Sequence, residues 1–216
     1  MKSIDAKLKD QKAVNTTIRA GLNGSPISVR NAGHINGLAA GLKHGEVVVR
    51  GVAGDYLGVL NAGATIKANQ GVGKYLADNM TAGTVIVEGN ALFGAAQYCY
   101  GGMVVIHGNA GDFTATMNKG ATIIVCGDVG NEVGTYMLKG DLIVVGNAGQ
   151  HFANYLIRGN VYIGGKWESL GNNTKVEPMT EADVAKLRAY FETYNVDADP
   201  KLFKKIVAAS EKPFYN

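Results

Sequence analysis

Apolar residues recur in columns along this chain. Between residues 26 and 159, seven similar rows follow one another, each closed by a glycine: Gly45, Gly63, Gly83, Gly102, Gly120, Gly140 and Gly159. The spacings are 18, 20, 19, 18, 20 and 19 residues. Three positions before each glycine stand Leu42, Leu60, Met80, Cys99, Met117, Met137 and Leu156. Seven positions before stand Leu38, Tyr56, Leu76, Ala95, Phe113, Val133 and Phe152. Self-similarity at a fixed short period marks a solenoid, in which each residue lies above its counterpart in the next turn. Both columns are therefore expected in the core.

Each row opens on a strand. Val47/Val49, Val85/Val87, Val104/Ile106, Leu142/Val144 and Val161/Ile163 alternate with period two, as in a half-buried strand. Thr65/Lys67 breaks this face, where Ile66 shifts the register, and Ala121–Cys126 has one extra residue, which predicts a bulge. A corner follows at Gly51, Gly89, Gly108, Gly127, Gly146 and Gly165, with Asn31 and Asn69 in the same slot; positive φ is the expected reason. The next slot holds Asn90, Asn109, Asp128 and Asn147, which predicts a ladder of stacked amides rather than a metal site. Helices are rejected because glycine recurs inside the rows, at about 1 kcal/mol per helical site.

These readings give a right-handed parallel β-helix of about seven coils. A perimeter of about 60 Å suits three short sides, and the 18–20 drift disfavours a left-handed hexapeptide helix. Residues 1–25 are a lead-in, with a short helix over Ala6 to Leu22 that caps the first turn. Residues 26–175 form the β-helix; its eighth row stops at Gly165, with Trp167 and Leu170 folding over the core end. Residues 176–216 form a short C-terminal α-helical cap. Thr180 with Asp183 opens its first helix, with Val184, Leu187, Phe191 and Tyr194 on one face. Asp199 and Pro200 open a second, with Leu202, Phe203, Ile206 and Val207 as its stripe. The cap is expected against Phe152, Leu156 and Val161. The tail ends in the aromatic hook Pro213-Phe214-Tyr215.

Composition narrows function by exclusion. Net charge is +3 and charged residues are 18%, with no basic footprint for nucleic acid. Glycine is 30 of 216 with only 4 prolines, which fits corners between ordered strands better than a linker. Cys99 and Cys126 read as buried free thiols of a reducing compartment. No apolar run is long enough to cross a membrane, and the first residues lack an apolar signal core, so a cytoplasmic location is expected. His34, His44, His107 and His151 show no metal-ligand spacing. His107 and His151, the latter in a slot filled elsewhere by Asp112, are the only bases a β-helix acyltransferase could use here. No catalytic, cofactor-binding or metal residue is otherwise expected.

The rows also carry a resemblance. The wording of Met80–Val87 (MTAGTVIV) and of Met137–Gly149 (MLKGDLIVVGNAG) resembles the GXGXG β-helix domain. That domain closes the large subunit of glutamate synthase and also occurs in formylmethanofuran dehydrogenase, within one of its subunits. The VYIGGKWESLG exit, the two C-terminal helices and Phe203–Val207 are most similar to the stand-alone glutamate-synthase-like subunit of N-methylglutamate synthase (methylamine–glutamate N-methyltransferase). The resemblance implies a structural role. Glutamine amidotransferase chemistry, FMN and an iron–sulfur cluster would lie on partner subunits, and no catalytic residue is carried over. The alternatives are the formylmethanofuran dehydrogenase subunit and an acyltransferase.

Overall fold

The computed structural model describes residues 2–210 and 212. Its frame is one 11-stranded sheet. Strands β1 (Lys2–Asp5), β2 (Ile27–Arg30), β3 (Glu46–Arg50), β4 (Ala62–Ala68), β5 (Ala82–Val87), β6 (Met103–Ile106), β7 (Lys119–Val125), β8 (Lys139–Val144) and β9 (Asn160–Ile163) pair in parallel, each with the next. A second run of parallel bridges joins Ala53, Val72, Ala91, Ala110, Val129, Ala148 and Trp167. The chain is a parallel β-solenoid of about seven turns. Ile66, Val85, Val104, Ile123, Leu142 and Val161 stack in register, and all are fully buried.

The repeat is stricter than the glycines suggest. From Val47 onward the paired residues of β3 to β9 are 19 apart, except Ala62↔Ala82 and Lys119↔Lys139 at 20, and the seven bridge residues are 19 apart at every turn. The drift of 18 and 20 therefore belongs to the glycine and not to the coil. In two rows the closing position holds Ala64 or Ala121, and glycine stands one residue earlier. There the register slips, between Ala62 and Thr65 and between Lys119 and Thr122, so the irregularity of β7 sits at its start.

This phase corrects the core columns in two rows. Leu60 is 56% exposed and Met117 half-buried, while Asn61 and Asn118 take their inward places at 0%. Tyr56 and Phe113 likewise point outward, and Leu57 and Thr114 point in. The buried asparagines are satisfied by the irregularity itself. Asn118 Nδ2 donates to the Ala121 carbonyl at 2.8 Å, and its Oδ1 accepts from the Ala121 amide at 2.9 Å. Asn61 does the same for Ala64, at 2.9 and 3.1 Å. A buried backbone group must be paired, and an apolar residue here could not pair it.

The third side of each coil has an unusual backbone. Every second residue over a five-residue stretch has positive φ, as at Tyr75 (58°), Ala77 (53°) and Asn79 (55°). The amides alternate in direction between coils. Tyr75 and Asn79 donate forward to Phe93 and Gln97, and Ala77 donates back to Leu57, at 2.8–3.0 Å. The middle position faces the core and is only Ala or Gly: Ala39, Gly58, Ala77, Ala96, Ala115, Gly134 and Ala153. Left-handed L-residues cost about 1–2 kcal/mol each, and here hydrogen bonds on both sides hold them.

Both ends are closed. The lead-in helix α1 is shorter than expected, Gln11–Gly21, because β1 precedes it and joins the sheet. Its Val14 and Ile18 are fully buried in the core. Asn15 replaces a missing coil: Nδ2 donates to the Gly37 carbonyl and Oδ1 accepts from the Ala39 amide, both at 2.8 Å.

At the other end, the eighth row does not stop at Gly165. It continues through the Ala148–Trp167 and Phe152–Leu170 bridges into β10 (Thr174–Glu177). Helix α2 (Glu181–Tyr194) opens with the expected Thr180/Asp183 capping box. The expected second helix is absent. Pro200–Leu202 is one 3-10 turn, and β11 (Lys204–Ala208) is a strand inserted antiparallel between β9 and β10. The open edge of β9 offers a row of unpaired backbone groups, and pairing them outweighs a helical stripe. Ile206 reaches the core while Leu202 is 71% exposed. The outermost strand is now β10, where Lys175 and Glu177 form an exposed ion pair at 2.9 Å. The Pro213–Tyr215 hook lies outside the described residues.

Helix α2 is not stacked on the coil end near Phe152 and Leu156. It covers the outer face of β6–β9, where Val105, Ile124, Ile143 and Tyr162 meet Leu187, Phe191, Val196 and Phe203. The strands beneath it are apolar on both faces, which is what a sheet covered on both sides requires. Val184 is only half-buried.

Candidate interaction surface

The corner side chains form the expected ladder. Asn109, Asp128 and Asn147 each donate a backbone amide to Oδ1 of the residue one coil earlier, at 2.8, 2.9 and 2.6 Å, and Lys166 continues the series at 3.0 Å. A parallel ladder links Asn36 to Asp55 to Lys74, and Asp112 to Asn131 to Gln150. Gln150, not His151, thus holds the Asp112 slot. The corner glycines need a correction. Only Asn31 and Gly51 have positive φ; Gly89, Gly108, Gly127, Gly146 and Gly165 do not. By register the slot given to Asn69 belongs to Gln70. These glycines are required by close approach: a Cβ on Gly146 would lie 2.5 Å from both the Gly127 carbonyl oxygen and Asp128 Oδ1. Among the described residues, no group of three His, Cys, Asp or Glu could hold a metal ion.

The histidines are not brought together. His107 directly follows β6, with Nδ1 3.7 Å from Cys126 Sγ one coil on. His151 is exposed on the turn side, where its amide donates to Ser169 Oγ at 2.9 Å. Burial, then the charge of Glu88, pushes the Cys126 thiol up to about 11, so it is protonated and a poor nucleophile at neutral pH. Cys99 is fully buried, donates to the Ala77 carbonyl at 3.2 Å, and is pushed by burial to about 12.

The densest polar cluster lies under α2. Asp183 accepts from Tyr162 Oη at 2.6 Å, from Thr180 Oγ1 at 2.7 Å, and from Lys205 Nζ at 3.0 Å. Burial raises the Asp183 pKa, but the hydrogen bonds from Tyr162, Thr180 and Lys205 outweigh it and hold the carboxyl well below its usual range. Tyr162 is pushed up, first by burial and then by donating to Asp183. Lys186 pairs with Asp141 at 2.9 Å and lies 4.8 Å from the Tyr162 ring centre. This cluster joins helix, β9 and β11; all its members are partnered within the chain.

The turn side is different. Many of its outward left-handed positions carry large side chains, while Gly37, Gly41 and Gly94 hold others. Tyr56 (38%), Leu60 (56%) and Tyr136 (37%) are exposed, and Tyr100 (55%) lies beside them. Tyr56 and Tyr75 stack at 4.8 Å, Tyr75 meets Phe93 edge-on at 5.7 Å, and Phe93 meets Phe113 at 5.3 Å. Tyr136 and Tyr155 stack at 5.4 Å. Placing Tyr56 and Leu60 in the core hid this surface from the sequence reading. The strict 19-residue period of the corner residues carries the signal that finds it. Among the described residues no helix is long and apolar enough to cross a membrane. The chain matches no protein-family model and no curated protein.

Proposed function

We propose that this chain is a non-catalytic assembly subunit of a glutamate-synthase-like complex, most closely N-methylglutamate synthase. It would dock a glutamine amidotransferase-like subunit and a further subunit that holds FMN and an iron–sulfur cluster. The observation that carries the reading is a rod closed at both ends that still exposes an aromatic and aliphatic tract along one side. Large apolar side chains gathered on one face of a folded protein mark an interaction surface. The repeated GXGXG-like wording supplies the choice of complex. The two polar groups an acyltransferase could use are apart, and the thiol beside His107 is protonated.

The test is co-expression with amidotransferase-like and flavin/iron–sulfur subunits, followed by size-exclusion chromatography and mass spectrometry. A complex containing all three is the expected result. Elution of the chain alone, or acyl transfer by the purified chain that is lost in His107→Ala, would overturn the reading. Co-purification with a molybdenum or tungsten subunit would move it to formylmethanofuran dehydrogenase.

A further inference from the structure

Within this assembly reading, we propose that Tyr56, Tyr75 and Asp78 receive a lysine or arginine side chain presented by another protein. The two rings stack 4.8 Å apart and 19° from parallel across two coils, and the slot one coil before Tyr56 holds Gly37, so the outer face of the Tyr56 ring has no ring against it. Leu60, 56% exposed, is tied to the same stretch by its amide, which donates to the Asp78 carbonyl at 2.9 Å. The Asp78 carboxylate is half-buried, and its side-chain partner is the Asn79 amide at 3.0 Å, with no cation in the pair. Burial pushes this carboxyl up, so an arriving cation restores solvation that folding removed.

On the same side of the rod a cation of the chain itself already lies on a tyrosine ring. Lys119 Nζ lies 4.2 Å from the Tyr100 ring centre and 5.7 Å from that of Tyr98, and 2.9 Å from Tyr100 Oη. Among the described residues no cation lies over Tyr56 or Tyr75. An ammonium or guanidinium over a tyrosine face beside a carboxylate is the matching ligand chemistry. The surface is open, so a free small amine would remain largely hydrated there. A protein brings apolar neighbours to cover Tyr56 and Leu60. Asp55 and Asp78 near these rings repel phosphate, which disfavours nucleic acid and anionic membranes.

The test has two arms on the full chain. In the first, the isotope-labelled protein is titrated with a blocked peptide holding one lysine between leucines, and with its glutamate counterpart. The lysine peptide is expected to shift the amide signals of Tyr56, Tyr75 and Asp78, with affinity at least about threefold weaker in Asp78→Asn. Equal shifts from both peptides, or shifts confined to other coils, overturn the proposal. In the second arm, affinity within the three-subunit complex is compared for the unmodified chain, Asp78→Lys and Tyr56→Ser, each checked for unchanged melting. A loss of about tenfold or more in Asp78→Lys is expected. A complex that forms with unchanged affinity overturns this site and leaves the assembly reading standing. Failure of any complex to form sinks the assembly reading, and the peptide arm still decides the site.

Discussion

Two outward faces of the same coil carry apolar side chains and end differently. On the strand side, Val105, Ile124, Ile143 and Tyr162 are fully buried, because α2 lies over them. On the turn side, Tyr56 and Leu60 remain exposed, with the Tyr56 ring stacked on Tyr75, and Tyr136, stacked on Tyr155, is 37% exposed. Hydrophobicity alone does not separate the two. The cover does, and with it the polar lock of Asp183, Tyr162 and Lys205 at one face only.

The largest effect should come from removing that cover. Truncation after Lys175 deletes α2 and β11 and bares four side chains worth about 1.5–3 kcal/mol each. An aggregating or early-melting rod is expected by light scattering and circular dichroism. A stable monomer would equate the two faces. Next, Met137→Ala should cost about 2–5 kcal/mol in chemical denaturation, since Met137 is fully buried in its stack. Met117→Ala, at the outward turn position, should cost about 1 kcal/mol or less. Equal losses would show that the phase assigned to the coils is wrong.

Asn118→Leu tests whether the inward polar residues belong there. It restores an apolar column yet should destabilise by about 1–3 kcal/mol, because the Ala121 amide and carbonyl lose their partner. A gain in stability would refute this role.

The lock adds a pH window. Asp183 has a depressed folded pKa, so its contribution is present above about pH 4, the unfolded value, and is lost as pH falls toward the folded one. Tyr162 has a raised folded pKa, so its contribution is present below about pH 10 and is lost as pH rises. Fluorescence of Trp167, which carries Lys204 over its ring at 5.0 Å, can follow both arms in melts. Asp183→Asn should flatten the acid arm and Tyr162→Phe the alkaline one; unchanged slopes in both would remove the lock from the account. The smallest effects belong to the uncovered face. Tyr56→Ala and Lys119→Ala should each change stability within about 0.5 kcal/mol, so a loss above about 2 kcal/mol from either would mean that this face is structural.

The repeat, the strand faces, the corner ladder and the Thr180/Asp183 box were legible because each depends on residues close in sequence or one coil apart. The outward tract was not. Tyr56 and Leu57 are adjacent and both apolar, and the closing glycine misplaced the count by one in the rows where Ala64 and Ala121 take its position. A one-residue shift sends every side chain to the opposite face. The 19-residue period of the corner residues fixes the phase, and Asn61 and Asn118, polar residues in an otherwise apolar column, agree with it.

By itself, the sequence determines a chain that must coil with a 19-residue period, since only stacking brings its like residues together and buries them. Tertiary structure decides the rest. Lys204–Ala208 carries an apolar pattern short enough to serve a helix or a strand, and it becomes β11 because the last coil leaves a sheet edge unpaired. Helix α2 has an apolar face with no address of its own, and it settles where β6–β9 are apolar on their outer side. Local preference is worth tenths of a kcal/mol per residue, whereas an unpaired edge and a bare apolar face cost several.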